Sequence, residues 1–249
     1  MSAVLRDSGA VIGHAGAVDW NAVGTALDAD GVAIVPNLLS RDEALDLAVC
    51  YDERERFRSR IVMQRHRFGR GEYRYFRYPL PPLVQALRRQ LYAALAPVAN
   101  RWSERLGSGV AFPSTLDAFL RRCHEAGQRR PTPLLLRYDT GDYNCLHQDL
   151  YGEHVFPLQC VILLSEPGID FDGGELVLVE QRPRAQSAAR VVALRQGDAA
   201  IIATHHRPER GARGWHRVSL KHGVSRVTRG RRCTAGIIFH DAAGPAGGD

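Results

Sequence analysis

The sequence of 249 residues contains a single lysine, Lys221, among its 33 lysine and arginine residues. Almost all of its cations are therefore arginines, whose planar guanidinium groups pair well with phosphates and carboxylates. The formal net charge of +6 indicates an anionic partner. A GC-rich genome, in which arginine replaces lysine throughout, would produce the same bias, so the composition alone leaves both explanations open.

Long apolar runs and paired cysteines are also absent. No apolar run approaches the roughly 18 residues of a membrane span, and the first residues lack the apolar core of a signal peptide. The five cysteines are odd in number and form no Cys-x-x-Cys pair, which argues against a disulfide framework and a structural zinc site. We therefore expect a reducing, cytoplasmic location without membrane association. The sequence also lacks the G-x-S-x-G and phosphate-loop motifs.

The first half of the chain, residues 1–132, has mainly helical patterns. Apolar residues at three- and four-residue steps predict a helix from Val84 to Trp102, kinked near Pro97. Ser40 and Glu43 have the spacing of a capping box that opens a second helix. Further helices are expected from Asp19 and from Thr115, and residues 31–36 read as a short strand.

Short apolar runs follow one another from residue 133, separated by Gly, Pro and Asp. They are too short for helices and predict strands at 134–138, 158–164, 174–180, 190–194, 199–204 and 234–239. Six strands without intervening helices indicate a sandwich or barrel. We expect an α+β fold, with an N-terminal helical layer on a β jelly roll. A single domain of residues 1–249 would comprise helical support on the substrate side (1–132), a catalytic core (133–241) and a loose tail (242–249).

An H-x-D motif is formed by His147 and Asp149. In an extended segment, side chains two residues apart project from the same face, so both can reach one metal ion. A histidine from a distant strand would complete the two-histidine, one-carboxylate set that suits non-haem Fe(II). Four histidines are candidates for this third ligand, namely His205, His206, His216 and His222. The first two are expected just after a strand end, and His216 with Trp215 in a loop.

Arg232 lies ten residues after His222, and a turn at Gly230 is expected between them. Alternation places Arg232, Thr234, Gly236 and Ile238 on one face of the last strand. An arginine on the interior face of a barrel would be a costly buried charge unless an anion meets it. The dicarboxylate 2-oxoglutarate would supply that anion, held by the guanidinium in a bidentate pair.

Five motifs of this region, in order, resemble those of the Fe(II)/2-oxoglutarate-dependent dioxygenases, in their prolyl-hydroxylase-like branch. They are L-L-R-Y-D-T-G-D-Y at 135–143, H-Q-D at 147–149, D-G-G-E-L at 172–176, R-Q-G-D-A at 195–199 and H-G-V-S-R-V-T-R-G-R-R at 222–232. The run Y-N-C-L-H-Q-D-L-Y-G-E-H is more closely similar to a bacterial group described as oxygenases acting on damaged DNA.

The resemblance implies a double-stranded β-helix in which His147, Asp149 and His222 hold iron. It also implies that Arg232 binds 2-oxoglutarate and that Tyr138 faces the same pocket. The cofactors would be Fe(II), 2-oxoglutarate and O₂, with a role for ascorbate left open. Oxidative decarboxylation of 2-oxoglutarate would then be coupled to hydroxylation of a substrate.

Two departures from related families affect this interpretation. The strand at 158–164 lacks the tyrosine that many prolyl hydroxylases place against the cosubstrate, so Tyr138 or Thr234 takes that role or the cosubstrate is held less tightly. The R-x-N-x-T-x-R pattern usual in oxidative demethylases of alkylated bases is also missing, which weakens the nucleic-acid demethylase hypothesis.

Residues 54–78 combine nine arginines with six aromatic residues. Guanidinium groups neutralise phosphates and aromatic rings stack on exposed bases, so this mixture suits single-stranded or damaged nucleic acid. Arg65, Arg67, Arg74 and Tyr75 are the candidate substrate residues. A solvated β-hairpin without a binding role would have the same pattern, and an acidic substrate would be attracted equally. The alternatives are therefore a nucleic-acid oxygenase, a hydroxylase of protein side chains such as proline, and a non-catalytic jelly-roll binding protein.

Overall fold

The computed structural model of the protein describes residues 18–244 and has the expected α+β architecture. The helices are α1 (Trp20–Asp30), α2 (Arg41–Val49), α3 (Pro82–Arg105) and α4 (Leu116–Glu125), with 3₁₀ helices at Cys50–Asp52, Arg54–Arg56 and Met63–His66. The strands are β1 (Val32–Val35), β2 (Phe57–Val62), β3 (Gly69–Arg70), β4 (Glu72–Phe76), β5 (Gln128–Arg130), β6 (Leu134–Asp139), β7 (Tyr143–His147), β8 (Leu158–Leu163), β9 (Phe171–Gly173), β10 (Leu176–Gln181), β11 (Ala188–Val192), β12 (Ala199–Ala203), β13 (His206–Gly211), β14 (Gly214–Val224), β15 (Val227–Ile237) and β16 (Ala242–Ala243).

Two antiparallel sheets form the jelly roll, as predicted. The larger sheet has the order β1-β12-β8-β15-β6-β4-β2, with β9 paired to β15. The smaller sheet has the order β11-β10-β14-β7-β3, with β13 paired to β14. Three strands from the first half extend the larger sheet, since β1 pairs with β12, β4 pairs with β6 and β2 pairs with β4. We therefore propose that the chain forms a single domain.

The helices begin where local capping fixes them. The Asp19 side chain accepts hydrogen bonds from the first backbone amides of α1, and Ser40 and Glu43 form the predicted capping box of α2. The long helix α3 continues through Pro97 and buries an apolar stripe that includes Leu87, Leu91 and Leu95. This stripe belongs to the main core, which helices and the larger sheet share. No helix within residues 18–244 is long and apolar enough to cross a membrane.

A β-hairpin stands where a loop was expected around His216. Trp215 and His216 lie in β14, because Val218 and Leu220 alternate inward along that strand and Gly211 to Gly214 supply the turn from β13. The prediction of a loop at these residues was therefore wrong, and β7 and β13 were also missed. His205 does follow a strand end, since β12 ends at Ala203.

The turn predicted at Gly230 was also wrong. Gly230 lies inside β15, opposite Phe171 of β9, and the chain reverses instead at residues 225–226. Its φ is +76°, and a Cβ atom there would lie 2.0 Å from the carbonyl oxygen of Asp170. Glycine is thus required by the close approach of the two strands rather than by a turn.

The expected loose tail does not begin at residue 242. Ala242–Ala243 forms β16, which pairs with β5. The remainder of that tail, residues 245–249, and the weakly patterned residues 1–17 lie outside the described residues.

Candidate metal centre

The register of two neighbouring strands brings the three expected metal ligands together. His147 ends β7 and lies directly opposite His222 of β14, and Asp149 follows two residues later. The metal-binding atoms of these three side chains all lie within 4.8 Å of one another. His222 Nε2 is 3.2 Å from one oxygen of Asp149, and His147 Nε2 is 3.6 Å from the other. Of the four candidates for the third ligand, His222 is therefore the one that lies beside His147 and Asp149.

The other histidine candidates lie elsewhere. His216 Nε2 is 3.4 Å from Glu209 on the β13–β14 hairpin. His205 and His206 pack against each other, with ring centroids 4.5 Å apart, and line a separate cavity. Neither position offers a third ligand beside His147 and Asp149.

The protonation of these side chains suits a metal ion. His147 Nδ1 lies 2.8 Å from the carbonyl oxygen of Cys145, to which it donates in the tautomer that leaves Nε2 free. Burial, and then the charge of His222, lower the pKa of His147 and favour the neutral imidazole that metals bind. Burial opposes ionisation of Asp149, but hydrogen bonding to His222, the two histidine charges and the Tyr151 hydroxyl together lower its pKa well below the usual value.

The three side chains line a cavity of about 310 Å³. Its inner end contains the three residues predicted to bind the cosubstrate, Arg232, Tyr138 and Thr234, all of them buried. The alternation predicted along the last strand is present, because Gly236 and Ile238 line the same cavity. The Arg232 guanidinium carbon lies 5.6 Å from the centre of the Tyr138 ring.

Arg232 is a buried cation that forms no ion pair with any residue from 18 to 244. It is 2 % exposed, and its Nε and Nη1 atoms have no hydrogen-bond partner among the described residues. Burial lowers its pKa, which reflects the cost of holding a charge there. A dicarboxylate in the cavity would satisfy these donors, so the site fits 2-oxoglutarate. Two imidazoles and one carboxylate with open positions fit Fe(II).

Several cavity residues were not singled out from the sequence. Gln159 is 2 % exposed and lies beside the His222 ring, with its amide nitrogen 3.4 Å from Nε2. Asn144 donates to the Tyr138 hydroxyl, and Tyr151 donates to Asp149. Alternation along β8 could have identified Gln159, because it faces the same side as Val161, and Tyr151 stands two residues after a ligand.

The four candidate substrate residues separate into two groups. Arg67 and Tyr75 line the cavity, and Arg65 is exposed in the adjoining 3₁₀ helix. Arg74 was predicted beside the substrate, but it lies on the opposite face of β4, where its guanidinium donates to the Tyr51 carbonyl and stacks on the Tyr51 ring. The correction follows from alternation, because neighbouring residues of a strand face opposite sides.

A double-stranded β-helix with two histidines and one carboxylate beside a buried arginine defines the class of Fe(II)/2-oxoglutarate-dependent oxygenases. Residues 71–242 match the model of a family described as "Oxygenase, catalysing oxidative methylation of damaged DNA". The chain belongs to this family. It is also 49 % identical, over 168 residues, to uncharacterised proteins of two Mycobacterium tuberculosis strains, a match that covers 68 % of this chain and 72 % of each relative.

Solved structures share the fold at low sequence identity. A prolyl-4-hydroxylase from Pseudomonas putida is 16 % identical with a TM-score of 0.53, over 90 % of this chain and 100 % of that one. A prolyl hydroxylase from Trichoplax adhaerens, solved with a peptide fragment of hypoxia inducible factor, is 16 % identical with a TM-score of 0.55, over 89 % of each chain. A 2OG-Fe(II) oxygenase family oxidoreductase from Burkholderia pseudomallei is 14 % identical with a TM-score of 0.53, over 91 % of this chain and 93 % of that one. These likenesses confirm the predicted fold.

Proposed function

We propose that this oxygenase oxidises a damaged base in nucleic acid, coupled to oxidative decarboxylation of 2-oxoglutarate. His147, Asp149 and His222 would hold Fe(II), and Arg232, Tyr138 and Thr234 would hold 2-oxoglutarate. The contribution of the metal, when bound with the cosubstrate, is the activation of O₂. Where the substrate carbon is a methyl group on a base nitrogen, hydroxylation would give a hydroxymethyl group, and breaking of its carbon–nitrogen bond would release formaldehyde and leave N–H on the base.

The protein's own residues bind the cosubstrate, orient it and shield it from water. Arg232 anchors the far carboxylate of the cosubstrate, and the Tyr138 hydroxyl, which accepts from Asn144, retains its own proton for donation to a ligand oxygen. Burial raises the pKa of Tyr138 and keeps this hydroxyl protonated. Both side chains are almost fully buried, so water is kept from the inner end of the cavity.

The size of the cavity limits what can enter it. A volume of about 310 Å³ is near the lower end of the range for small-molecule sites. A polymer substrate would therefore insert one group, such as a base taken out of its stack, beside the cosubstrate. The tyrosines Tyr73, Tyr75 and Tyr151 line this space and offer ring faces to a flat group.

The residues at the mouth of the cavity favour nucleic acid as the substrate. Phe68 and Leu146 are 48 % and 45 % exposed there, although both line the cavity, and Arg67 lies beside Phe68. Exposed aromatic and apolar surface next to a guanidinium suits a strand whose bases stack while its phosphates pair. The family description, which refers to damaged DNA, points the same way.

Succinate formation with three matched substrates tests this function. The substrates are a single-stranded oligonucleotide with one methylated base, the same oligonucleotide without the methyl group, and a proline-containing peptide. We expect the methylated strand to stimulate succinate formation above the other two, and mass spectrometry to show loss of the methyl group. Stimulation by the peptide, with a hydroxylated product, would instead assign a protein side-chain hydroxylase. Binding of iron and cosubstrate without turnover on any substrate would favour the binding-protein alternative.

A further inference from the structure

A second cavity, of about 430 Å³, lies on the other side of the segment that follows Asp149. Its walls are the C-terminal half of α3, part of α4, the start of the β13–β14 hairpin and residues 150–157. None of the expected metal or cosubstrate ligands lines it. The cavity is therefore a separate space with a shared wall.

The mouth of this second cavity combines an exposed guanidinium with two imidazoles. His205, His206 and Arg217 line it, and Arg217 makes no ion pair with the described residues. Burial, and then the charges of His206 and Arg217, lower the pKa of His205 to about 4, so its imidazole is neutral at pH 7 and has one N–H group to donate to an anion. His205 Nδ1 is buried without a hydrogen-bond partner among residues 18–244. Glu153 is the one carboxylate among the described lining residues.

The floor of the cavity is aromatic. Trp102, Phe112 and Phe119 line it and are otherwise packed into the core. The indole nitrogen of Trp102 donates to Asp28 Oδ1 over 2.7 Å, so its polar edge is already satisfied. Trp102 and Phe119 are each 1 % exposed and Phe112 is 9 % exposed, so the rings lie behind the cavity. The apolar surface open to a ligand includes Val110 and Leu150, which are 46 % and 49 % exposed and suit an uncharged body.

We propose that this cavity binds a small organic anion, with an apolar body against this apolar lining and its anionic head at Arg217, His205 and His206. Phosphate and carboxylate heads share the required chemistry, because each accepts several hydrogen bonds from a guanidinium and from imidazole N–H groups. This inference does not depend on the proposed substrate of the oxygenase, since the two cavities have no lining residue in common.

Gln148, which lies between the candidate ligands His147 and Asp149, connects the second cavity to the candidate metal centre. The Gln148 amide nitrogen donates to the carbonyl oxygens of His205, over 3.1 Å, and Leu220, over 2.8 Å. Residues 150–157 form one wall of the cavity, directly after Asp149. A bound anion would therefore rest on backbone that is continuous with the metal ligands.

Calorimetric titration of the full chain with three probes tests the proposal. The probes are 1-naphthyl phosphate, its neutral counterpart 1-naphthol, and inorganic phosphate, each in the presence of saturating 2-oxoglutarate to fill the first cavity. We expect 1-naphthyl phosphate to bind with one-to-one stoichiometry and at least about tenfold more tightly than either counterpart. Equal affinity for 1-naphthol, or no saturable binding of 1-naphthyl phosphate, would overturn the proposal.

Matched variants of two arginines on the same hairpin locate the binding. Arg217→Gln removes the cation at the mouth and should weaken binding of 1-naphthyl phosphate about tenfold. Arg213→Gln changes an exposed arginine in the β13–β14 turn that does not line the cavity, and should leave the affinity unchanged. Both side chains are exposed, so both variants should fold. Equal affinities of the two variants would place the anion elsewhere and refute the assignment.

Discussion

The Tyr151 hydroxyl lies 2.5 Å from Oδ1 of Asp149 and donates a hydrogen bond to it. The Tyr75 hydroxyl in turn donates to that of Tyr151 over 3.1 Å. Burial raises the pKa of both phenols, so both remain protonated and keep donating. The carboxylate is thereby held with its other oxygen towards His222, at 3.2 Å. Tyr151 is a positioning residue for the candidate metal centre.

Tyr151→Phe should weaken metal binding without removing a ligand. Loss of an outer hydrogen bond to a ligand typically costs about 10–100-fold in metal affinity. Titration with Co(II), followed by its visible absorption spectrum, would measure both the affinity and the ligand geometry. Tyr143→Phe, in strand β7 but outside the cavity, is the matched control and should change neither. An unchanged spectrum and affinity in Tyr151→Phe would show that the hydrogen bond has no positioning role.

Arg232→Met should separate cosubstrate binding from metal binding. The variant loses the guanidinium anchor, so the KM for 2-oxoglutarate should rise at least about 100-fold, the loss expected for a charge-assisted pair. In the absence of cosubstrate the variant should be as stable as the parent protein or more stable, because a buried cation without a partner is removed. Urea unfolding checks the stability. Metal affinity that collapses while the KM stays constant would contradict the role assigned to Arg232.

Alanine substitutions of the histidines test the identity of the third ligand. His147→Ala, Asp149→Ala and His222→Ala should each abolish stoichiometric Fe(II) binding and turnover, because two ligands hold the ion too weakly. His205→Ala and His216→Ala should retain metal binding, since neither ring is near Asp149. Metal analysis after gel filtration would show the difference. Full iron content in His222→Ala would refute the assigned ligand set.

Buried His240 should make the protein less stable in mild acid. Burial, followed by the charge of Arg88, lowers its pKa to about 4. The folded state therefore resists protonation, so its stability is complete above the unfolded pKa of about 6.5 and declines by about 3 kcal/mol as pH falls to about 4. His240→Asn keeps an acceptor for the Phe156 amide but cannot titrate. Urea unfolding between pH 7 and 4.5 should show a shallower decline in His240→Asn, whereas His66→Asn, at an exposed position, should match the parent.

Arg67 and Arg74 should behave differently, although both belong to the arginine-rich segment. Arg67→Gln should weaken binding of single-stranded DNA and reduce the slope of log affinity against log salt by about 1. Arg74→Gln should instead lower the free energy of unfolding, by about 1–3 kcal/mol, because its hydrogen bond to Tyr51 is buried. Fluorescence anisotropy and urea unfolding measure the two effects. DNA binding that is equally weak in the exposed-site control Arg54→Gln would indicate a diffuse charge effect instead.

The strands that line the cavity of the candidate metal centre could be predicted from the sequence where their apolar runs are continuous. The runs at 134–138 and 158–164 became β6 and β8, and alternation from Arg232 to Ile238 gave the cavity-facing side of β15 correctly. The first part of strand β14 was missed because Arg217 and Lys221 on its outward face break up the apolar run. Arg74 was placed on the wrong side because the prediction rested on the number of arginines in the segment. Alternate residues of strand β4 face opposite sides, and Arg74 points away from the cavity.

The opposition of His147 and His222 in β7 and β14 has a consequence for how the protein matures. Residues far apart in the chain must pair in register before both imidazoles are near Asp149. An unfolded chain cannot bring the three ligands together. Metal bound by all three ligands would therefore stabilise only molecules whose barrel is already closed. Uptake of the ion should therefore report completed folding, and a chain that has stalled earlier should remain metal-free.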